Sequence, residues 1–292
     1  MTSSVVATTT LEPKSRHSLH AAKSVGLAAL VSFPIAAVAS ITWLVLILAS
    51  SRLLPSIPWA PVAMGFFLVL YWWYLRGGGW PARTAAERSR LLRARMVPAR
   101  VFTWALVAGG LGLVSLAGIW VVLVRVTGVG GNPTSAPFDG YPLYIVAPTV
   151  VIASLVSPLS EEAAFRGYAQ VVLERSFRPL YAVAISSAFF ALWHGPTQGF
   201  FWSKLVFFFA VGVLFGTIAY ATKSTLPALP VHIAGDLLFF LVIWPNDSAR
   251  TLVLSHGTDI WFWLNVAQAL LFGIATIWAV RRLAGLRSAI AA

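Results

Sequence analysis

Long runs of apolar residues, separated by short polar or basic segments, recur along the 292-residue chain. A run of about 18 apolar residues is long enough to cross the hydrocarbon core of a bilayer as a helix. The pattern predicts eight helical segments, at about 25–49, 57–75, 101–124, 143–165, 180–195, 201–221, 226–244 and 260–280. The expected fold class is therefore all-α, a polytopic helical membrane protein with about eight transmembrane segments.

The composition agrees with a membrane protein and narrows the range of partners. Hydrophobic residues make up 59% of the chain and charged residues 10%, whereas soluble domains carry about 25% charged residues. The net charge of +12 comes from short basic segments between the apolar runs, a pattern that does not favour a nucleic-acid partner. The chain has no cysteine, so a metal site in it would need His and carboxylate ligands.

The basic residues predict the orientation in the membrane, because Lys and Arg in short loops resist translocation. With both termini and the alternate loops in the cytoplasm, 17 of the 21 Lys and Arg residues lie inside. The inside segments are 1–24, 76–100, 166–178, 222–225 and 281–292, and the four other cations are Arg52, Arg125, Lys204 and Arg250. Both termini are therefore expected to be cytoplasmic. The basic segment 76–100 either only anchors this topology or also lies on anionic lipid headgroups.

Two of the few acidic residues directly follow an apolar run. Glu161 and Glu162 are adjacent, and Arg166 follows four residues after Glu162, on the same face of a helix. Ionisable side chains in membrane segments cost about 2.5–3.5 kcal/mol and are functional candidates by default. Pro158 is expected to open a helix that Ser160 caps, which places the glutamates in its first turn. A solvated cluster at a helix end would explain this segment equally well.

Two histidines also lie in apolar sequence. His194 ends one apolar run, and His232 lies four residues before Asp236, which can orient its imidazole or help to hold an oxyanion. A lone membrane histidine more often serves packing, but three polar sites on separate apolar segments favour a function. A carboxylate and imidazoles can activate water for peptide hydrolysis and stabilise the oxyanion. Glu, His and His are also a ligand set of catalytic zinc, so both mechanisms stay open.

These sites form an ordered set of motifs that resembles the signature of the CPBP family of intramembrane proteases. The motifs are Glu161-Glu162-x-x-x-Arg166, Phe190-x-x-x-His194 and His232-x-x-x-Asp236. The family comprises CAAX prenyl endopeptidases and bacterial Abi-like relatives in bacteriocin processing or self-immunity. The stretch from Gly212-x-x-x-Gly216 to Thr222-Lys223-Ser224 resembles the family's sequence before its final histidine. The resemblance covers about residues 145–245, and residues 1–140 carry no motif of the family that we identify.

The resemblance implies an intramembrane endopeptidase with an eight-helix type of fold. Glu161 is then the water activator, His194 and His232 are the imidazoles, and Glu162 and Arg166 are supporting residues. If zinc is used, its ligands are Glu161, His194 and His232.

Asp236 stands where many eukaryotic members of the family have Asn. An ionised carboxylate would oppose an oxyanion, so orientation or metal support is its expected role. The implied substrate is a peptide or protein, either prenylated or membrane-anchored, and the site is expected to open toward the cytoplasm. The many Arg and Ala residues favour a bacterial plasma membrane. A non-catalytic scaffold or immunity protein and an ion-coupled transporter are the alternatives.

The chain is accordingly divided into four parts. They are a disordered cytoplasmic tail (1–24), N-terminal transmembrane helices (25–124) with the basic loop 76–100, a CPBP-like catalytic core (143–245), and a final transmembrane helix with a basic tail (246–292). Simple helix counting leaves His194 at the outer end of its helix, far from Glu161 and His232. We therefore expect a helix break near Pro158, or a helix from Ser160 to about Arg178 that dips into the membrane, which is tolerable around a protein cavity.

Overall fold

A computed structural model describes residues 13–131 and 141–291 of the chain, with side chains for 20–131 and 141–286. The described residues form helices and no strands, which confirms the all-α fold class. The helices are α1 (Pro13–Leu53), α2 (Trp59–Leu75), α3 (Ala85–Leu92), α4 (Ala99–Thr127), α5 (Leu143–Glu161), α6 (Gln170–Leu173), α7 (Pro179–Gln198), α8 (Trp202–Thr222), α9 (Ala228–Leu238), α10 (Val253–His256) and α11 (Ile260–Ala291).

Six helical spans within the described residues are long and apolar enough to cross a membrane. They are His20–Leu53, Ala99–Thr127, Leu143–Leu173, Trp202–Thr222, Ala228–His256 and Ile260–Leu286. All eight predicted segments are helical. Two of them, 57–75 and 180–195, correspond to α2 and α7, which are not among the six candidate membrane spans. α1 begins at Pro13 and so extends into the segment 1–24 expected to be a tail, of which residues 1–12 lie outside the described part.

The helix that carries the glutamates does not break at proline. α5 runs through Pro158 and continues into a π-helical stretch, the π segment (Glu162–Ala169), which leads directly into α6. Ser160 lies inside α5, where its hydroxyl donates to the carbonyl of Val156 at 2.8 Å. The expected break near Pro158, the cap at Ser160 and a new helix starting there were therefore wrong. Surrounding helices and local π adjustment make an internal proline tolerable in a membrane helix.

The π segment is held by side chains from distant parts of the chain. A π turn shifts the backbone hydrogen bonds to the fifth residue, and such turns often occur at functional sites. Ser186 of α7 donates its hydroxyl to the carbonyl of Phe165 at 2.6 Å. Arg93, which follows α3, donates from its guanidinium to the carbonyl of Arg166 at 3.1 Å. Both bonds fix the backbone directly beside the glutamates.

Close contact between α7 and α8 depends on glycine. A Cβ atom at Gly212 would lie 2.8 Å from the Cα of Ser187, and one at Gly216 would lie 3.1 Å from Val183. Small residues at this spacing let membrane helices approach closely, as in other membrane bundles. The approach brings the imidazole of His194 on α7 against the ring of Phe208 on α8.

One end of the bundle, the basic end, is tied together by Arg93, Glu174 and Lys223. Glu174 accepts from the guanidinium of Arg93 at 3.2 Å and from the ammonium of Lys223 at 2.9 Å. Burial alone would raise the pKa of the Glu174 carboxyl, but Arg93 and hydrogen bonds from Lys223 and Gln170 outweigh it and hold the pKa below its usual value. The basic end thus joins the basic loop, the end of α6 and the α8–α9 connection.

The opposite end of the bundle has its own polar contacts, centred on Arg125, Asp247 and Asp259. Arg125 pairs with Asp259 at 2.7 Å, and its hydrogen bond lowers the pKa of that carboxyl to about 2. Asp247 accepts from the indole of Trp120 at 2.9 Å and from Arg250 at 2.8 Å. These contacts join the end of α4 to the chain segments around α10.

Candidate active site

Three of the predicted site residues meet inside the bundle. One carboxylate oxygen of Glu161, Oε2, lies 3.9 Å from Nε2 of His194 and 3.8 Å from Nε2 of His232. The continuous helix explains how they meet. Glu161 lies twelve residues before Leu173, or about 18 Å along the helix axis, and so much deeper than simple counting had placed it. His194 does not need to move from the last turns of α7.

The two imidazoles present the same nitrogen to Glu161. Nδ1 of His194 lies 2.8 Å from the carbonyl oxygen of Phe190, and since a carbonyl only accepts, Nδ1 carries the proton. Nδ1 of His232 likewise donates to Oε1 of Glu162 at 3.0 Å. In the neutral rings, therefore, both Nε2 atoms have a free lone pair that faces the carboxylate of Glu161.

The Glu161 side chain is buried, and one of its two carboxylate oxygens accepts a hydrogen bond from a described residue. Its Oε1 accepts from the indole N–H of Trp193 at 3.1 Å. Its Oε2 has no hydrogen-bond donor among the described residues. A buried carboxylate oxygen without a donor is unfavourable, and here it lies beside two imidazole acceptors, so the arrangement fits a small donor such as water between the three atoms. Trp193 has no signal in the sequence beyond its position one residue before His194.

Glu162 and Arg166 form a buried pair behind the histidines, as their spacing predicted. Their charged groups lie 3.3 Å apart, and the two side chains are 0% and 1% exposed. The guanidinium lies over the ring of Phe190 at 4.0 Å and that of Phe215 at 5.3 Å. The pair therefore holds Oε1 of Glu162 in place to orient His232.

Asp236 lies on the same face of α9 as His232, also as predicted. Its Oδ1 is 3.6 Å from Nε2 of His232, which is too long for a hydrogen bond. Its Oδ2 has no partner among the described residues. Asp236 is therefore a neighbour of the ring nitrogen that faces Glu161, without a hydrogen bond to it.

Aromatic rings fix the planes of both imidazoles. Phe208 stacks on His194 with ring centres 3.8 Å apart, and Phe215 stacks on His232 at 4.5 Å. The seven-residue spacing of the two phenylalanines on α8 places them on one helix face. That spacing was visible in the sequence, but nothing in it indicated which rings the phenylalanines contact.

The site forms part of the wall of a largely apolar cavity of about 570 Å³. Glu161, His194, His232 and Asp236 all line it. The other walls come from α1, α4, α5, α7, α8 and the chain that follows α9, and include Trp43, Leu44, Leu116, Val156, Gln198, Phe207, Val211, Phe240 and Trp244. Because Gln198 ends α7 and Trp244 contacts Trp120, the cavity extends from the site toward the opposite end of the bundle.

The donor set of Glu161, His194 and His232 matches zinc chemistry, but the geometry is not that of a formed metal site. Ligand bonds of about 2.1 Å in a tetrahedral zinc site place ligand atoms about 3.4 Å apart, whereas the carboxylate oxygen here is 3.8 and 3.9 Å from the two nitrogens. No group of three candidate ligands in the described part of the chain meets the requirements of a metal site. The use of zinc therefore stays a prediction.

A comparison with protein families identifies the region that holds this site. Residues 144–238 match the family described as type II CAAX prenyl endopeptidase Rce1-like. The matched stretch is about a third of the chain and is similar to that family. The Rce1-like region contains every predicted site residue, from Glu161 to Asp236, and agrees with the resemblance to the CPBP family.

The Rce1-like match supports a protease of the CAAX type in an integral membrane protein. Searches of curated proteins and of solved structures gave no significant match. Arg93 and α1 lie outside the matched region. Their contribution, a hydrogen bond to the Arg166 carbonyl and part of the cavity wall, comes from the structure alone.

Proposed function

We propose that the protein is an intramembrane endopeptidase that hydrolyses a peptide bond with water activated by Glu161. The observation that carries the proposal is the convergence of Glu161, His194 and His232 within 4 Å at the wall of a cavity large enough for a peptide segment. Pockets that bind peptides or drug-sized ligands commonly have volumes of about 300–1,000 Å³.

The first step is attack by water on the scissile carbonyl. A water molecule between Oε2 of Glu161 and the two Nε2 atoms would donate one proton to the carboxylate while its oxygen bonds to the carbonyl carbon. The indole N–H of Trp193 holds the other carboxylate oxygen and so keeps Glu161 oriented. The low dielectric of the apolar cavity strengthens these interactions.

The second step is departure of the amine. The proton taken by Glu161 passes to the leaving nitrogen, directly or through the neighbouring imidazole of His194 or His232, as the carbon–nitrogen bond breaks. His232 has a carboxylate near each ring nitrogen, which supports a positively charged ring as negative charge develops on the substrate oxygen. Glu162 and Asp236 act through His232 and are therefore positioning residues.

The apolar lining favours a substrate with a hydrophobic part, and we propose a membrane-anchored or prenylated peptide. Charged groups on the lining are confined to the site itself, while the remaining walls are mostly aromatic and aliphatic. A free polar peptide would have little to gain from such walls. The composition continues to favour a bacterial plasma membrane as the location.

The test is cleavage of a library of prenylated and unmodified peptides by the purified protein in lipid nanodiscs, with products identified by mass spectrometry. We expect cleavage by the wild type, and losses of about 100-fold or more in kcat for Glu161→Gln and His194→Ala. Arg52→Gln is the matched control, because Arg52 is an exposed cation outside the cavity.

Equal turnover by the wild type and both site variants would refute the proposed site. The same assay with a chelator, followed by added zinc, tests the metal: a loss that zinc restores would assign zinc to the mechanism. Binding of library peptides without any cleavage by the wild type would favour the alternative of a non-catalytic scaffold.

A further inference from the structure

A second cavity is a groove on the outside of the bundle, between α2 and α5. Its volume is about 620 Å³, and none of its lining residues lines the cavity of the candidate active site. On α2 the groove is lined from Gly65 to Arg76, at spacings of three and four residues that mark one helix face. On α5 it is lined by Ile152, Leu155 and Leu159, which also share a face. The groove therefore runs along two neighbouring helices.

The groove is open on one side and has the length of one membrane leaflet. Val69 and Trp73, which line it, are exposed on the surface of the bundle. Gly65 lies eleven residues before Arg76, or about 16 Å along the helix axis, which is about half of a hydrocarbon core of roughly 30 Å. A Cβ atom at Gly65 would lie 3.7 Å from Ile152, so the two helices approach each other at that end. The groove thus has room for an acyl chain of one leaflet.

The other end of the groove carries an arginine without a counter-charge. Arg76 lines the groove, is exposed, and forms no ion pair among the described residues. The nearby carboxylates of the basic end, Glu87 and Glu174, are already paired with other cations. The C-terminus of α2 favours a cation through the helix dipole, but it supplies no full counter-charge. An anion for Arg76 therefore has to come from outside the described residues.

Indole rings place the arginine end of the groove at the depth of the lipid headgroups. Trp72 and Trp73 line the groove one turn or less before Arg76, and Trp80 is exposed just after them. Tryptophan is enriched where the hydrocarbon core meets the headgroups. The chain that follows α2 packs on one of these rings, because a Cβ atom at Gly78 would collide with the indole of Trp73. Apolar walls that end at an unpaired guanidinium are complementary to a lipid with an anionic headgroup.

We propose that the groove between α2 and α5 binds one anionic phospholipid, with its phosphate on Arg76 and an acyl chain along α5. A guanidinium can donate two parallel hydrogen bonds to a phosphate. Another face of α5 lines the cavity of the candidate active site through Ala153, Val156 and Ser157, one turn before Glu161. The lipid therefore packs against the helix that carries Glu161. Its binding does not depend on the proposed hydrolytic function.

The test is photo-cross-linking of the full chain in phosphatidylcholine nanodiscs that contain a trace of a lipid with a photoactivatable acyl chain. The labelled lipid is phosphatidylglycerol in one set and phosphatidylcholine in the other, and mass spectrometry of the digested protein locates the label. A parallel set of nanodiscs contains an excess of unlabelled phosphatidylglycerol as competitor.

Two pairs of variants separate the charge from the groove. Arg76→Gln removes the charge, and Arg83→Gln is its control, because Arg83 is an exposed cation of the same basic loop that does not line the groove. Val69→Trp fills the groove, and Val62→Trp is its control, because Val62 is exposed on α2 outside the groove. All four side chains are exposed, so the variants are expected to fold.

In the wild type we expect the phosphatidylglycerol label on the groove residues of α2 and α5, and we expect the competitor to displace it. Arg76→Gln should lower the groove label about fivefold, as for the loss of one cation that attracts an anionic lipid. Arg83→Gln should leave it unchanged. Val69→Trp should remove most of the groove label, whereas Val62→Trp should keep it.

Equal groove label from the two lipids, or equal losses in Arg76→Gln and Arg83→Gln, would overturn the anionic site. Label spread evenly over the exposed faces of the bundle would overturn a specific groove. A groove without label would refute the lipid as its occupant, and a dimer in native mass spectrometry would then point to a second copy of the chain. None of these outcomes requires peptide cleavage, so failure of the lipid site and failure of the proposed endopeptidase are measured separately.

Discussion

Glu162 and Arg166 are two buried charges whose pairing fixes the imidazole of His232. The ion pair is almost completely inaccessible, and Oε1 of Glu162 also accepts from His232. Removing one member of such a pair leaves an uncompensated charge and costs about 3–5 kcal/mol. Glu162 therefore contributes both to the stability of the protein and to the orientation of His232.

We expect Glu162→Gln to lower the free energy of unfolding by about 3–5 kcal/mol, because Arg166 then lacks its counter-charge. Denaturant titration in mixed micelles, followed by tryptophan fluorescence, measures the change. The double variant Glu162→Gln/Arg166→Met should recover part of the loss, since it removes both charges. A double variant no more stable than the single one would show that the two residues are not coupled.

Some side-chain contacts of the site could be predicted from the sequence, whereas others have no pattern in the sequence that indicates them. The pairs Glu162–Arg166 and His232–Asp236 follow from a spacing of four residues on a helix. The donation from Trp193 to Glu161 and from Arg93 to the Arg166 carbonyl joins residues up to 73 positions apart. Such contacts depend on how helices pack, which local spacing does not determine.

Among the secondary structure elements, α7 and α8 have to lie close together for His194 to face Glu161. Gly212 permits this approach, because any Cβ there would meet the backbone of Ser187. The stacking of Phe208 on His194 follows from the same contact. The position of His194 is thus sensitive to a single methyl group on the neighbouring helix.

Gly212→Ala should reduce kcat by about 10-fold or more, because a displacement of about 1 Å at a catalytic group can cost up to about 100-fold. Gly110→Ala on α4 is the matched control, since a Cβ there meets no atom within 4 Å. Peptide cleavage rates and melting temperatures of both variants are compared with the wild type. Full activity of Gly212→Ala would contradict the tight α7–α8 contact.

The ion pairs of Glu174 at the basic end should make the melting temperature depend on pH. The pKa of Glu174 is lowered in the folded protein, so its contribution to stability is present above the unfolded value of 4.5 and is lost as the pH falls through the lower, folded pKa. We expect the wild-type melting temperature to fall in that acidic range, and Glu174→Gln to show a smaller fall. Thermal unfolding across a pH series measures this, and identical pH profiles would exclude a role for Glu174.

The eight helical segments could be predicted because apolar runs are long and strongly marked. The π segment could not be predicted, since its residues show no pattern that distinguishes a π-helix from an α-helix. The prediction at Pro158 was wrong because a proline inside a helix frees a backbone carbonyl, which neighbouring helices and local π adjustment can satisfy in a membrane bundle. Inside a bundle the continuous helix persists, and this continuity is what moves Glu161 to the depth of His194.

For the whole molecule, the basic end and the cavity lie at different ends of the bundle. The basic end contains the loop around Arg93 and the α8–α9 connection, whereas the cavity extends to Gln198 and Trp244. The sequence led us to expect both cytoplasmic basic loops and a site that opens toward the cytoplasm. In this fold the two expectations conflict. Arg166, which the sequence had assigned to a cytoplasmic loop, is buried beside Glu162; without it the sequence still assigns 16 of the 21 Lys and Arg residues to the cytoplasmic side, which favours a cytoplasmic basic end.

Single cysteines can test the orientation, because the chain has none of its own. Met96→Cys marks the basic loop, where Met96 is 89% exposed, and Thr197→Cys marks the exposed rim of the cavity. We expect a membrane-impermeant maleimide to label Thr197→Cys in intact cells and Met96→Cys only after the membrane is opened. The reverse pattern would place the cavity on the cytoplasmic side.

The most direct test of the central claim is a single-turnover reaction of a cleaved peptide in heavy-oxygen water, with wild type and Glu161→Gln compared in the same nanodiscs. If Glu161 activates the attacking water, the wild type will place one labelled oxygen in the new carboxyl terminus, and Glu161→Gln will form that product at least about 100-fold more slowly. Formation of the labelled product by both proteins at the same rate would contradict the account.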